Sequence, residues 1–231
     1  MARTALIAGA VGRLGEAVLN RALAGDHYEQ VVALAHAPMN LGVRRLALAS
    51  ADDLPSVDDL FLVLSDPGEP AARSFYGRDA AFTLLSADLL QPVAQRAIAA
   101  GARRALLLSP LPAWQQMSRF HQGLSGDRET GLAALPFESL TILRPVKAAT
   151  TTGGSLVERI TQLYLSVQMT MLPKSIPTLT SEQLARAAVS AMAEATAGIR
   201  ILDAAAIDKR LREQKEGRVA PADGRRETDQ Q

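Results

Sequence analysis

An apolar run at residues 5–8 stops at Gly9, and Gly12 and Gly15 follow at three-residue spacing. Apolar residues then resume in helical rhythm at Leu14, Ala17, Val18 and Ala22, up to Gly25. A glycine inside a strand or helix costs roughly 0.5–1 kcal/mol relative to alanine. A cluster of them at a strand-to-helix junction implies that something approaches the backbone closely there. The chain must therefore open as strand, glycine turn and helix.

The rest of the chain repeats this alternation. "QVVALA", "RRLALA", "LFLVLS" (60–65), "RALLLS" (104–109) and "LTILRP" (140–145) are continuous apolar runs. Continuous runs, unlike alternating ones, indicate strands covered on both faces and hence a parallel sheet. Helical segments separate several of them. Residues 76–100 read as a long helix that Pro92 kinks or restarts, and 115–135 as a segment interrupted by Gly123, Gly126 and Gly131. This pattern predicts an α/β, doubly wound parallel sheet with a small C-terminal helical region on the substrate side.

Past Pro145, a helix carries Leu156, Ile160, Leu163, Tyr164, Val167 and Met171 on one face, which either closes the core or meets a second copy in a homodimer. "LTSEQLARAAVSAMAEA" predicts another helix, capped by Thr180 or Ser181 with Glu182 and Gln183 in its first turn. "IRILDA" reads as a short strand. From Lys209 the chain is charged and poor in apolar residues, which predicts a frayed helix and then a disordered tail. The expected organisation is one domain over 1–208, including a substrate-side segment at about 146–205, and a tail over 209–231.

Composition excludes several function classes. A net charge of +1 gives no global pull toward nucleic acid or an anionic membrane. The absence of cysteine removes disulfides, thiolate metal sites and cysteine nucleophiles. His27, His36 and His121 lack ligand spacing, so no metal site is expected. Arg3 precedes an apolar stretch, but Arg13 interrupts it before a secretory pattern develops. No window supplies the roughly 18 uninterrupted apolar residues of a membrane span. The expected location is cytoplasmic.

A strand, then Gly9-Ala-Val-Gly12-Arg-Leu-Gly15, then a helix is an arrangement suited to a dinucleotide. Gly9 permits the tight turn, Gly12 lets a pyrophosphate lie against the backbone, and Gly15 lets the helix pack closely. The helix N-terminus offers free N–H groups and partial positive charge to the phosphates. Cofactor choice is read after the second strand, in "ALAHAPM", where no Asp or Glu is present to hold the ribose hydroxyl of NAD. Arg13 and His36 suit a 2′-phosphate, so NADP (NADPH) is expected over NAD. The expected cofactor-binding set is Gly9, Val11, Gly12, Arg13, Leu14, Gly15, His36, Ser65, Ser109 and Pro145.

The glycine spacing resembles that of atypical and extended short-chain dehydrogenase/reductases. Further stretches resemble the NAD(P)H-binding oxidoreductase branch typified by Tat-interacting protein: "DHYEQVVALAHAP", "AIAAGARRALLLSPLPA", "PFESLTILRP" and "IPTLTSEQLARAAVSAM". The resemblance covers roughly residues 3–205. It implies a Tyr-x-x-x-Lys pair one helix before "LTILRP", the tyrosine exchanging a proton with the substrate oxygen and the lysine holding the ribose. An ungapped count from Leu140 puts those positions at His121 and Ser125. Ser109 matches the serine implied after the fifth strand, but its expected neighbour is Pro110. Tyr28, Tyr76 and Tyr164 are the only tyrosines, and none has a lysine four residues on.

His121 and Ser109 are therefore the candidate catalytic residues, with Lys147 near the same cleft. His121 has the chemistry for proton transfer, since a free imidazole titrates near about pH 6.5. Three functions follow from this reading. One is a nucleotide-binding protein without standard catalysis that senses the cofactor or holds a protein partner. The second is an NADPH-dependent reductase of small carbonyl, quinone or flavin substrates working largely by positioning. The third is a fold remnant that binds no nucleotide and serves as a scaffold subunit.

Overall fold

The computed structural model describes residues 3–36, 42–64, 81–111, 123–124, 126–146 and 179–219. Its strands are β1 (Thr4–Ala8), β2 (Gln30–Leu34), β3 (Leu46–Ala49), β4 (Asp59–Val63), β5 (Arg104–Leu108), β6 (Ser139–Arg144) and β7 (Gly198–Asp203). They form one sheet in the order β3-β2-β1-β4-β5-β6-β7, and every neighbouring pair is parallel. The order reverses between β1 and β4, which sets the topological switch point of the sheet there.

Residues alternate between the two faces of each strand, and both faces of β1, β2, β4, β5 and β6 are covered. On one face Ala5, Ile7, Phe61 and Leu106 pack with α1 (Gly12–Ala24), α4 (Ser181–Ala193) and Ile207 of α5 (Ala204–Val219). On the other, Leu6, Leu60, Leu107 and Ile142 pack with α2 (Leu90–Ala99) and Leu132 of α3 (Gly126–Ala133). The central strand β4 is buried along its whole length. The continuous apolar runs thus become doubly covered strands, as expected.

Pro92 lies in the first turn of α2, where a missing N–H and a fixed φ are tolerated. The helix expected over 76–100 is shorter in its described part. Residues 81–86 are not helical, and α2 begins at Leu90 after a single tight turn over Ala87–Leu89. The reason is main-chain pairing with the end of β2, described below. At the other end of the chain, the charged stretch from Lys209 continues α5 as far as Val219, and the tail expected beyond it lies outside the described residues. The apolar helix expected around 156–171 lies outside the described residues. Among the described residues no helix is long and apolar enough to cross a membrane.

Charge is organised at the N-terminal edge of the sheet. Asp59 opens β4 fully buried, and the Arg104 guanidinium, opening β5, binds it through two nitrogens. Tyr28 sits beside them, its ring edge-on to Phe61 at 6.0 Å. Burial, and then the negative charge of the Asp59 carboxylate, which accepts a hydrogen bond from the hydroxyl, push its pKa well above the ordinary tyrosine value.

Candidate functional site

The β1–α1 turn is shaped by its glycines. Gly9 has φ +86°, and a Cβ there would fall 2.1 Å from the carbonyl oxygen of Val63 on β4. Only glycine fits both the conformation and the space. A Cβ on Gly15 would lie 2.1 Å from the Gly9 carbonyl oxygen, so the first turn of α1 rests directly on the turn backbone. Gly12 also has positive φ, +72°. Val11 precedes the helix in extended conformation, no side chain caps it, and its first turn carries no acid. The side chains of Val11 and Leu14 pack against the core. The helix start is therefore left without a side-chain cap and carries the partial positive charge of its backbone N–H groups.

The other sequence-predicted residues occupy several places along the C-terminal edge of the sheet. Ser109 and Pro145 are brought together beyond β5 and β6. The Ser109 N–H donates to the Leu143 carbonyl at 3.0 Å, and the Leu111 N–H donates to the Pro145 carbonyl at 2.9 Å. His36 follows β2 with its side chain exposed. Arg13, also exposed, lines an open groove of about 770 Å³ between α1 and α4, together with Arg21 and Arg186. Ser65, His121, Ser125 and Lys147 lie outside the described residues. Tyr28 is far from this edge, at the opposite ends of the strands, as its contacts with Asp59 and Phe61 require. Tyr76 and Tyr164 lie outside the described residues. No cluster of potential metal ligands occurs among the described residues.

Two features of this edge were not anticipated from the sequence. Arg144, at the end of β6 and only 2% exposed, is held by the Glu129 carboxylate of α3, with Nε to Oε1 at 2.9 Å. It also donates to the Gly123 carbonyl at 2.8 Å. The pair fixes α3 to the strand end that carries Pro145. An acid in "GDRET" and an arginine before a proline carry no distinctive spacing, so only the fold joins them.

The second feature is the 81–85 segment. The Thr83 N–H donates to the Leu34 carbonyl at 2.9 Å, and the Ala81 carbonyl accepts from the His36 N–H at 3.0 Å. Residue 35 donates instead toward β3, to Ala49. Alternation along a strand therefore places the 81–83 pairing on the opposite edge of β2, where β1 would continue had it not turned at Gly9. Phe82 bridges Ala35 and is buried in the same apolar cluster as Ala10, and Leu85 is fully buried beside Gly9. The largely apolar string "AFTLL", with Phe82 and β-branched Thr83 favouring extended backbone, is its sequence trace.

No protein-family model matches the chain, and no curated protein matches it. Solved structures do resemble it. The Bordetella bronchiseptica enzyme WbmH, crystallised in complex with NAD+, aligns over 97% of this chain and 85% of its own at 16% identity and TM-score 0.53. The Citrobacter triphenylmethane reductase complexed with NADP(H) aligns over 85% of this chain and 68% of its own at 15% identity, with TM-score 0.49. The ADP-L-glycero-D-manno-heptose-6-epimerase of Helicobacter pylori covers 92% of this chain and 82% of its own at 14% identity, with TM-score 0.48. The likeness to WbmH establishes the fold, a Rossmann-like doubly wound parallel sheet. This is the fold expected from the glycine turn and the continuous apolar runs.

Proposed function

We propose that the chain binds a nicotinamide dinucleotide at the β1–α1 turn and lacks the proton-transfer pair of working dehydrogenases, acting as a nucleotide sensor or a holder of another protein. The observation that carries this reading is the glycine-built, uncapped helix start located at the switch point of the sheet, where open α/β sheets take their ligands. The diphosphate would lie against Gly12 and the amides that follow it. Similarity to WbmH, a protein solved with NAD+, supports the class of ligand. Exposed Arg13 and His36, with no acid after β2, favour the 2′-phosphate of NADP. Ser109 and Pro145 would border the nicotinamide end. The absence of catalysis is supported by the tyrosine inventory and by the position of Tyr28, buried at the far end of the sheet.

A second reading, the scaffold that binds no nucleotide, is favoured by one observation: the 81–85 segment lies over the strand ends where the adenosine half of a dinucleotide would rest. The diphosphate half of the crevice fits the ligand and the adenosine half does not.

Thermal melting with NADPH and NADH separates the two. Ligand at about 100 times its Kd stabilises a native protein by about 2.7 kcal/mol. A clear rise in Tm without consumption of NADPH across aldehydes, quinones and flavins is the expected result. No shift with either cofactor supports the scaffold. NADPH consumption abolished by His121→Ala establishes a reductase instead.

A further inference from the structure

The misfit in the crevice has a specific consequence. We propose that the 81–85 segment is a built-in competitor for the adenosine half of the site, so that a dinucleotide binds only by displacing it. This rests on the dinucleotide reading given above.

The segment is tied at both ends of its crossing. Two main-chain hydrogen bonds join it to β2, through Thr83 to Leu34 and through Ala81 to His36. Phe82 bridges Ala35 and is buried in the apolar cluster that also holds Ala10, the residue after Gly9 in the turn that starts α1. Leu85 lies against the Gly9 position and anchors the segment into α2's side of the sheet. A ribose and adenine lying over the ends of β1 and β2 would need the volume that Phe82 occupies and the approach to β2 that the main chain of residues 81–83 covers. The diphosphate position at Gly12 and the strand ends at Ser109 and Pro145 are not crossed by this pairing. The two halves of the site are therefore unequal: a nicotinamide mononucleotide can enter with the segment in place, and a dinucleotide cannot.

The test compares reduced nicotinamide mononucleotide with NADPH on the full chain, by equilibrium titration, in wild type, Phe82→Ala and Thr83→Pro. The first substitution empties the pocket under the segment, and the second removes the N–H that binds Leu34. Apparent affinity scales with the fraction of molecules already open, so the NADPH Kd should fall on the order of fivefold or more in each variant. The mononucleotide Kd should stay within about twofold, because its site is open in both forms. An NADPH Kd unchanged in folded variants, or a fall shared equally by both ligands, overturns the proposal.

Hydrogen exchange on the wild type decides the matter even if neither variant folds. Saturating NADPH should speed exchange of the Thr83 and His36 amides, whereas the mononucleotide should not. Unchanged or slower exchange at these amides with NADPH bound overturns the competitor. If wild type and variants bind neither ligand, the dinucleotide reading itself fails and the competitor falls with it.

Discussion

At Gly9 a single methyl group would meet the Val63 carbonyl oxygen at 2.1 Å, on a backbone with φ +86°. Gly9→Ala is expected to destabilise the fold by about 3 kcal/mol, the sum of a left-handed conformation and an overpacked contact. Chemical denaturation checks this, and a loss below about 0.5 kcal/mol, the range of ordinary surface changes, would show that the turn relaxes freely. The buried Arg144–Glu129 pair makes a second prediction. Glu129→Ala leaves a guanidinium that is 2% exposed without its carboxylate, keeping the bond to the Gly123 carbonyl, and removing one partner of such a pair costs about 3–5 kcal/mol in denaturant unfolding. Tyr28 makes a third. Its pKa is raised above the ordinary 10.0, so the folded state keeps the proton more tightly than the unfolded chain. The resulting stability is complete below about pH 10 and is lost as pH rises beyond it. Tyr28→Phe should therefore flatten the fall of Tm above about pH 10, and an equally steep fall in the variant would mean another group governs the alkaline limb.

Among the elements, α1 and α4 show how the same physics serves two ends. Thr180 accepts from the Gln183 N–H, and the Gln183 side chain accepts from the Thr180 N–H, closing a full capping box. Thr180→Ala is expected to cost about 1 kcal/mol in denaturant unfolding. The start of α1 has no such side-chain cap. Both helix starts were legible: a threonine before Glu182 and Gln183 signals a cap, and a glycine triplet signals its opposite. Strands β1, β2, β4, β5 and β6 were equally legible, because burial on both faces demands unbroken apolar runs. The 81–86 stretch was not. Its apolar residues match a helix as well as an extended segment, and only the free edge of β2, created when β1 turns at Gly9, selects the extended form. The Arg144–Glu129 pair was illegible for a related reason, since it joins residues whose proximity is made by the order of β6 and α3 rather than by spacing.

For the whole molecule, the order β3-β2-β1-β4-β5-β6-β7 puts every candidate ligand-binding group that is described at one edge, and Tyr28, Asp59 and Arg104 at the other. The sequence conveys this polarity through the glycine turn and the parallel pattern. It does not convey the inequality of the two halves of the crevice, which depends on one segment crossing one strand end. The proposed dinucleotide binding requires the backbone at the β1–α1 turn to receive a diphosphate. The most direct measurement is a calorimetric titration of NADPH into wild type and Gly12→Asp, with folding of both verified by melting. Saturable binding by wild type and at least about a hundredfold loss in Gly12→Asp, equivalent to some 2.7 kcal/mol, is the predicted result. Equal affinity in the two proteins would contradict it, because a carboxylate set against a bound diphosphate cannot be neutral in effect.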